Sequence, residues 1–227
     1  MADSVASVKQ VVMEIDPANP PQPWGLPLGA SQRPQDDGPE ARPVQLRMQY
    51  RRGLSGLPAW TVPPGCQLRP YRPDDDAGLR VLLRLAGFAD RSQEARYAQL
   101  IGQPEAREGT RVIACSGRLV AVSFAGRYDD VEGRLDYVCG HPEHRGKGLG
   151  LGVCVAVTRF LLEQGYATVA LTTDDWRLPA IRTYVKIGFE PVLFRWDMPE
   201  RWARVYGALA AAAAARADLR DNMARRD

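Results

Sequence analysis

The stretch from Gly140 to Gly152, GHPEHRGKGLGLG, decides the fold. Before it, Arg134 to Gly140 (RLDYVCG) reads as a strand. After it, Leu149, Val153, Val157, Phe160 and Leu161 recur at helical spacing as far as about Gln164, and Gly165 ends the run. A strand that passes through closely spaced glycines straight into an apolar helix leaves several backbone N–H groups without intrahelical acceptors. Glycine permits left-handed backbone angles there and removes the Cβ atoms that would hold an anion away, while the helix dipole favours negative charge. Arg145 and Lys147 add two full positive charges, so the turn reads as a phosphate site. Lys147 is followed by Gly148 rather than the Ser or Thr that a P-loop uses for magnesium, which excludes nucleoside-triphosphate hydrolysis. The glycines at 146, 148, 150 and 152 alternate and follow a meander of strands, which excludes the dinucleotide fingerprint.

Outward from this turn the chain is regular. Upstream come a strand from Gln67 to Tyr71, then a helix announced by Pro73-Asp74-Asp75-Asp76 and carrying Leu79, Val81, Leu82, Leu83 and Leu85. A short helix follows from Ser92 to Ile101. Arg111 to Cys115 and Leu119 to Tyr128 are apolar runs joined by Ser116-Gly117-Arg118, and Asp129 to Gly133 leads into Arg134 to Gly140, so three antiparallel strands are expected. Downstream, Ala167 to Thr172 is a buried strand reached through a helical crossover, and should run parallel to Arg134–Gly140. A helix from Leu178 to Ile187 has Pro179 in its first turn and Gly188 at its end, and a pair of strand segments is expected over Phe189 to Met198. The fold class is α/β (α+β), with a mixed, mostly antiparallel central sheet flanked by helices.

The ends differ in character. Eleven of the 18 prolines precede Cys66, and Pro17 to Pro43 shows no hydrophobic period. Val8 to Ile15 is one island in it; another is Val44 to Tyr50, whose alternation of Val44, Leu46, Met48 and Tyr50 with polar residues predicts a half-buried strand extending or covering a sheet edge, or an arm reaching a substrate or second subunit. The chain divides into a Pro-rich extension with short strands (1–65), a regular central domain (66–199) and an Ala/Arg-rich tail (200–227) that reads as an exposed helix. At 227 residues, 45% hydrophobic and 25% charged, it suits one substantial core. A net charge of +3 gives no ground for a nucleic-acid partner. The longest apolar run, Ala208 to Ala215, is far short of a bilayer crossing, and Met1 to Gln10 lacks the pattern of a secretory signal, so a cytoplasmic location is expected. Cys66, Cys115, Cys139 and Cys154 show no CxxC spacing and are expected to be reduced and buried. With His141 and His144 the only histidines, no metal is predicted.

Arg145-Gly146-Lys147-Gly148-Leu149-Gly150 resembles the R/Q-x-x-G-x-G/A coenzyme A signature of the GNAT superfamily of N-acetyltransferases. His141-Pro142-Glu143-His144 looks like the family's lead-in, and Ala180-Ile181 through Tyr184 to Gly188-Phe189 resembles its A-I-x-x-Y-x-x-x-G-F segment; the similarity covers about Gln67 to Met198. The resemblance implies a GNAT-like sheet whose two parallel strands splay so that the pantetheine arm of acetyl-CoA, a co-substrate, lies between them along Val138, Cys139 and Gly140. It implies a pyrophosphate on the amides of Gly146, Lys147, Gly148, Leu149 and Gly150 with Arg145 nearby, and a backbone N–H near Cys139 or Gly140 polarising the thioester carbonyl.

Acetyl transfer to an amine needs a base and an acid on opposite sides of the thioester. The resemblance implies Tyr184 as general acid; Glu132 and Asp136 are the candidate bases. Gly140 stands where an apolar residue is expected before His-Pro, and Arg177, preceded by Asp174, Asp175 and Trp176, stands where the family often has Asn. The Asp-Arg pair either caps the helix or lines the acceptor pocket. Cys139, a thiol in a buried strand, reads as packing rather than as an acetylated nucleophile, so direct transfer in a ternary complex is expected. The implied acceptor is a small-molecule or protein amine, the implied assembly a monomer or homodimer. The competing reading is a non-catalytic acyl-CoA-binding regulatory module.

Overall fold

Alternation of apolar side chains lays down the strands from the first described residues onward. In the computed structural model, which describes residues 44–224 and their side chains as far as residue 215, Leu46, Met48 and Tyr50 are buried while Arg47 and Gln49 are half-buried. The strands are β1 (Leu46–Tyr50), β2 (Cys66–Pro70), β3 (Arg111–Cys115), β4 (Arg118–Arg127), β5 (Glu132–Gly140), β6 (Thr168–Thr173) and β7 (Glu190–Val192). The helices are α1 (Asp76–Leu85), α2 (Glu94–Ile101), α3 (Pro104–Gly109), α4 (Leu149–Glu163), α5 (Leu178–Ile187) and α6 (Met198–Ala224). One seven-stranded sheet has the order β2-β3-β4-β5-β6-β1-β7. β2 to β5 are antiparallel neighbours, and β5 pairs with β6 in parallel. The mixed, mostly antiparallel sheet with one parallel pair is the fold expected from the sequence.

The described chain divides into two compact units. The larger holds residues 48–172 and 179–190. Its sheet separates two apolar clusters along the period-2 alternation of the strands. Val112, Val122, Phe124 and Cys139 face Leu79, Leu82 and Leu83 of α1 and Tyr97 and Leu100 of α2. Ile113, Cys115, Val120 and Ala121 face Leu149 and Val153 of α4. The β3–β4 turn is Ser116-Gly117, with φ of 50° and 79°. Two successive left-handed residues make the twist of a two-residue hairpin. Asp75, buried at the start of α1, accepts two bonds of 2.7 Å from Arg69 and one of 2.8 Å from the Arg72 N–H. Burial alone would raise its pKa, but these bonds hold it below the usual carboxylate range.

The described part of the second unit holds residues 44–47, 173–178 and 191–224. Met198, Trp202 and Val205 are buried at helical spacing on α6, with buried Arg201 between them. Arg201 grips both carboxylate oxygens of Asp175, donates to the Val44 carbonyl at 2.8 Å and reaches Asp197 at 3.5 Å.

The structure corrects several expectations. Cys66 and Cys115 form a disulfide, whereas Cys139 and Cys154 are free and buried. The sequence separation of 49 residues conceals that the antiparallel β2–β3 register sets these two cysteines directly opposite each other. β1 lies inside the sheet between β6 and β7, not at an edge. Of the two strand segments expected over 189–198, only the three-residue β7 forms, because the helix already begins at Met198. The first two turns of α6 bury one face, at Met198, Arg201, Trp202 and Val205, rather than standing exposed all round. The short α3 was not expected. The proline-rich stretch and the Val8–Ile15 island lie outside the described residues.

Candidate functional site

β5 and β6 hold together over only three residue pairs, Glu132↔Thr168, Gly133↔Val169 and Arg134↔Ala170, although β5 continues to Gly140 and β6 to Thr173. Among the described residues, the β5–β6 ladder stops there, and the β6-facing edge of Leu135 to Gly140 is left without that partner. On its other side, β5 bulges: Val122 opposes Cys139 and Phe124 opposes Asp136, so Tyr137 and Val138 together face Ser123. Tyr137 sits at φ 40°, a left-handed conformation unusual for an aromatic residue, held by edge-on contacts with Phe88 at 5.2 Å and Phe124 at 6.0 Å. The bulge re-aims the backbone of Val138 to Gly140 just where the strand loses its second partner.

From Gly140 the chain enters a short 3-10 turn, Pro142–His144, tied down by buried His141, whose Nε2 lies 2.7 Å from Arg118 Nη2. Desolvation and the charge of Lys147 push His144 below the ordinary histidine range. Gly146 and Gly148 then adopt φ of 79° and 73°, and Gly148 caps α4 with no side-chain hydrogen bond. Among the described residues, the N–H groups of Gly146, Lys147 and Gly148 donate to no backbone carbonyl. Leu149 and Gly150, as the first helical residues, have no intrahelical acceptor either. Neither Arg145 nor Lys147 lies within 4.0 Å of a carboxylate among the described residues. A Cβ placed on Gly140, Gly146 or Gly150 would meet nothing within 4 Å. The turn is an open, uncapped, positively charged nest of N–H groups.

Gly152 has a different reason. A Cβ there would lie 2.5 Å from the indole of Trp60, and one on Gly148 would lie 3.6 Å from its Nε1. Sequence reasoning missed Trp60; the signal was a glycine inside a helix, where it weakens the helix unless another group must come close.

The candidate bases part company. Glu132, buried at the paired beginning of β5, accepts from Gln49 and from Thr168 Oγ1 at 3.3 Å. Asp136, beside the bulge and past the end of the ladder, lies 2.7 Å from Arg134. Burial raises its pKa, and Arg134, the Tyr137 N–H and Arg91 pull it back only in part. Tyr184 is buried on α5, its ring 6.1 Å from that of Phe189, which in turn lies 5.6 Å from Tyr50. The Cys139 thiol donates to the Tyr137 carbonyl at 3.3 Å. In the second unit Arg177 donates to Asp174 at 3.0 Å and lies 4.4 Å over the ring of Trp176, which is 71% exposed. Among the described residues no group of three or more His, Cys, Asp or Glu is placed to hold a metal, and no helix is long and apolar enough to cross a membrane.

A model of the acetyltransferase (GNAT) family matches residues 79–189. A mycothiol acetyltransferase from Thermomonospora curvata is 31% identical over 159 residues, covering 64% of this chain and 52% of that protein. Another, from Actinosynnema mirum, is 31% identical over 174 residues, 72% of this chain and 56% of that protein. The chain thus spans about half the length of these relatives. Among solved structures, a GCN5-related N-acetyltransferase from Sphaerobacter thermophilus superposes with a TM-score of 0.55 at 22% identity, over 66% of this chain and 49% of that one.

Proposed function

Since the chain belongs, through residues 79–189, to the acetyltransferase (GNAT) family, we propose that it transfers an acetyl group from acetyl-CoA to a primary amine, directly and within a ternary complex. The observation that carries this reading is the uncapped glycine turn, where the N–H groups of Gly146, Lys147 and Gly148 donate to no backbone carbonyl among the described residues, placed one short loop beyond the end of β5 that outruns its ladder with β6. An anion with two adjacent phosphates satisfies such a nest, with Arg145 and Lys147 supplying charge. The β6-facing edge of β5 at Val138 to Gly140, beyond the three pairs of the β5–β6 ladder, offers main-chain donors and acceptors to an amide-bearing arm, as one strand does to another.

Acetyl-CoA supplies the activated thioester. A backbone N–H at Cys139 or Gly140 polarises its carbonyl. Asp136 takes the proton of the incoming amine as the C–N bond forms, and Tyr184 gives its proton to the departing thiolate as the C–S bond breaks. Asp136 suits the base better than Glu132 does, because its pKa is raised toward the working range and it lies past the end of the β5–β6 ladder. Glu132 joins Gln49 to Thr168 across the paired end.

Gly150→Glu is the test. The added side chain has open space and an acidic residue suits the first turn of a helix, so the fold is retained, yet its carboxylate faces the proposed pyrophosphate. Calorimetry should show coenzyme A binding to the wild type and none to this variant; equal binding by both would sink the reading. Acceptors are then separated by thiol release across a panel of amines headed by a mycothiol-type substrate, since the relatives carry that name. Thiol release that is absent with every amine, while coenzyme A still binds, would favour a regulatory module.

A further inference from the structure

The segment between β1 and β2 seats one indole on the first turns of α4. Trp60 packs against the cluster of Ile113, Cys115, Val120, Leu149 and Val153. Its ring occupies the space a side chain at position 152 would need, with three ring atoms 2.5 to 2.6 Å from where that Cβ would stand. The same ring reaches the Gly148 end of the helix through Nε1. Positions 148 and 152 are one helical turn apart and share a face, whereas 146 and 150 point elsewhere and are open. Trp60 therefore covers one side of the N–H nest and leaves the other free. Six residues later the same segment is fastened to the end of β3 by the Cys66–Cys115 disulfide, and Cys66 N–H also donates to the Pro63 carbonyl at 3.1 Å.

We propose that Trp60 is a positioning residue for coenzyme binding: by filling the notch made by Gly148 and Gly152 it holds the first turn of α4 in the geometry that keeps the N–H groups of Gly146 to Gly150 convergent. The inference rests on the acetyl-CoA reading of that turn. A helix start that carries no side-chain cap and two left-handed glycines has little of its own to fix it. An aromatic ring packed on the bare glycine backbone supplies the missing constraint without occupying the anion face. Preorganised donors bind more tightly because less order has to be imposed on binding.

Trp60→Ala, Trp60→Phe and Gly152→Ala test it together. Gly152→Ala favours the helix intrinsically while its methyl displaces the indole, so this variant separates loss of the seat from loss of fold. The expected result is an acetyl-CoA KM raised about tenfold in Trp60→Ala and Gly152→Ala, with kcat at saturation little changed and Trp60→Phe restoring most of the affinity. Without ligand, amide exchange at Gly152, whose N–H donates to the Gly148 carbonyl at 3.2 Å, should quicken in the same two variants and not in Trp60→Phe. Coenzyme affinity and Gly152 exchange both unchanged in Gly152→Ala would overturn the proposal. A wild type that binds no coenzyme A by calorimetry would overturn the function itself, a result distinct from wild-type binding that survives loss of the indole.

Discussion

Arg134 and Asp136 occupy one face of β5, two residues apart, and their 2.7 Å contact sets the chemistry expected of the proposed base. Burial raises the Asp136 pKa and the neighbouring guanidinium lowers it, so the acid limb of kcat/KM should rise through a value above the ordinary carboxylate range of about 4. Removing the opposing charge in Arg134→Met should move that limb to higher pH, because Asp136 then holds its proton longer. Asp136→Asn should lower kcat by roughly 100-fold or more while leaving coenzyme A affinity in place. An unmoved limb in Arg134→Met would assign it to another group. The sequence offered Glu132 and Asp136 on equal terms. What tells them apart is where the β5–β6 ladder ends, and strand registers are not written in residue spacing.

β2 is one of the two edge strands of the sheet, and it is pinned to β3 by the ladder and by the Cys66–Cys115 disulfide. Closing a loop of this length restricts the unfolded chain by about 2–4 kcal/mol. Reduction, or Cys115→Ser, should therefore lower Tm by roughly 4–16 °C. Thiol titration of the denatured, unreduced protein should count two of the four cysteines; four titrating thiols would refute the bridge. The elements themselves were largely legible. Alternation marks β1, apolar runs mark β3 and β4, the Ser116-Gly117 pair marks the hairpin, and Pro179 with Gly188 brackets α5, because these signals are local. The disulfide, the interior place of β1 and the β5 bulge were hidden, since each depends on which strand lies beside which. The apolar residues after Phe189 mimicked a longer strand pair, although only β7 forms there.

Across the whole chain, the glycine turn was readable because a backbone that turns through positive φ with its N–H groups bare calls for glycine, as at Gly146 and Gly148. The acceptor of the proposed transfer was not, because amines impose no comparable rule on sequence. The tail gives a sharper contrast at this scale, since its composition suggested a uniform exposed helix and its structure is divided. Up to Tyr206, α6 buries Met198, Arg201, Trp202 and Val205, whereas residues 210–215 are exposed. A chain ending at Tyr206 should keep its Tm within a few degrees of the full length. One ending at Pro199 leaves Asp175 without Arg201, the Val44 carbonyl without its donor and the buried surface of Trp202 and Val205 unmade, and should melt lower, mainly through the lost apolar burial because solvent screens the 38% exposed Asp175. The bond from Arg201 holds the Asp175 pKa below its usual value. Its contribution is therefore complete above the unfolded-state pKa of about 4 and is lost as pH falls through the depressed folded value. Arg201→Met should abolish that part of the acid sensitivity while lowering Tm at neutral pH. If melting curves for the chain ending at Pro199 overlay those of the full length at pH 7, the buried half of α6 has no anchoring role.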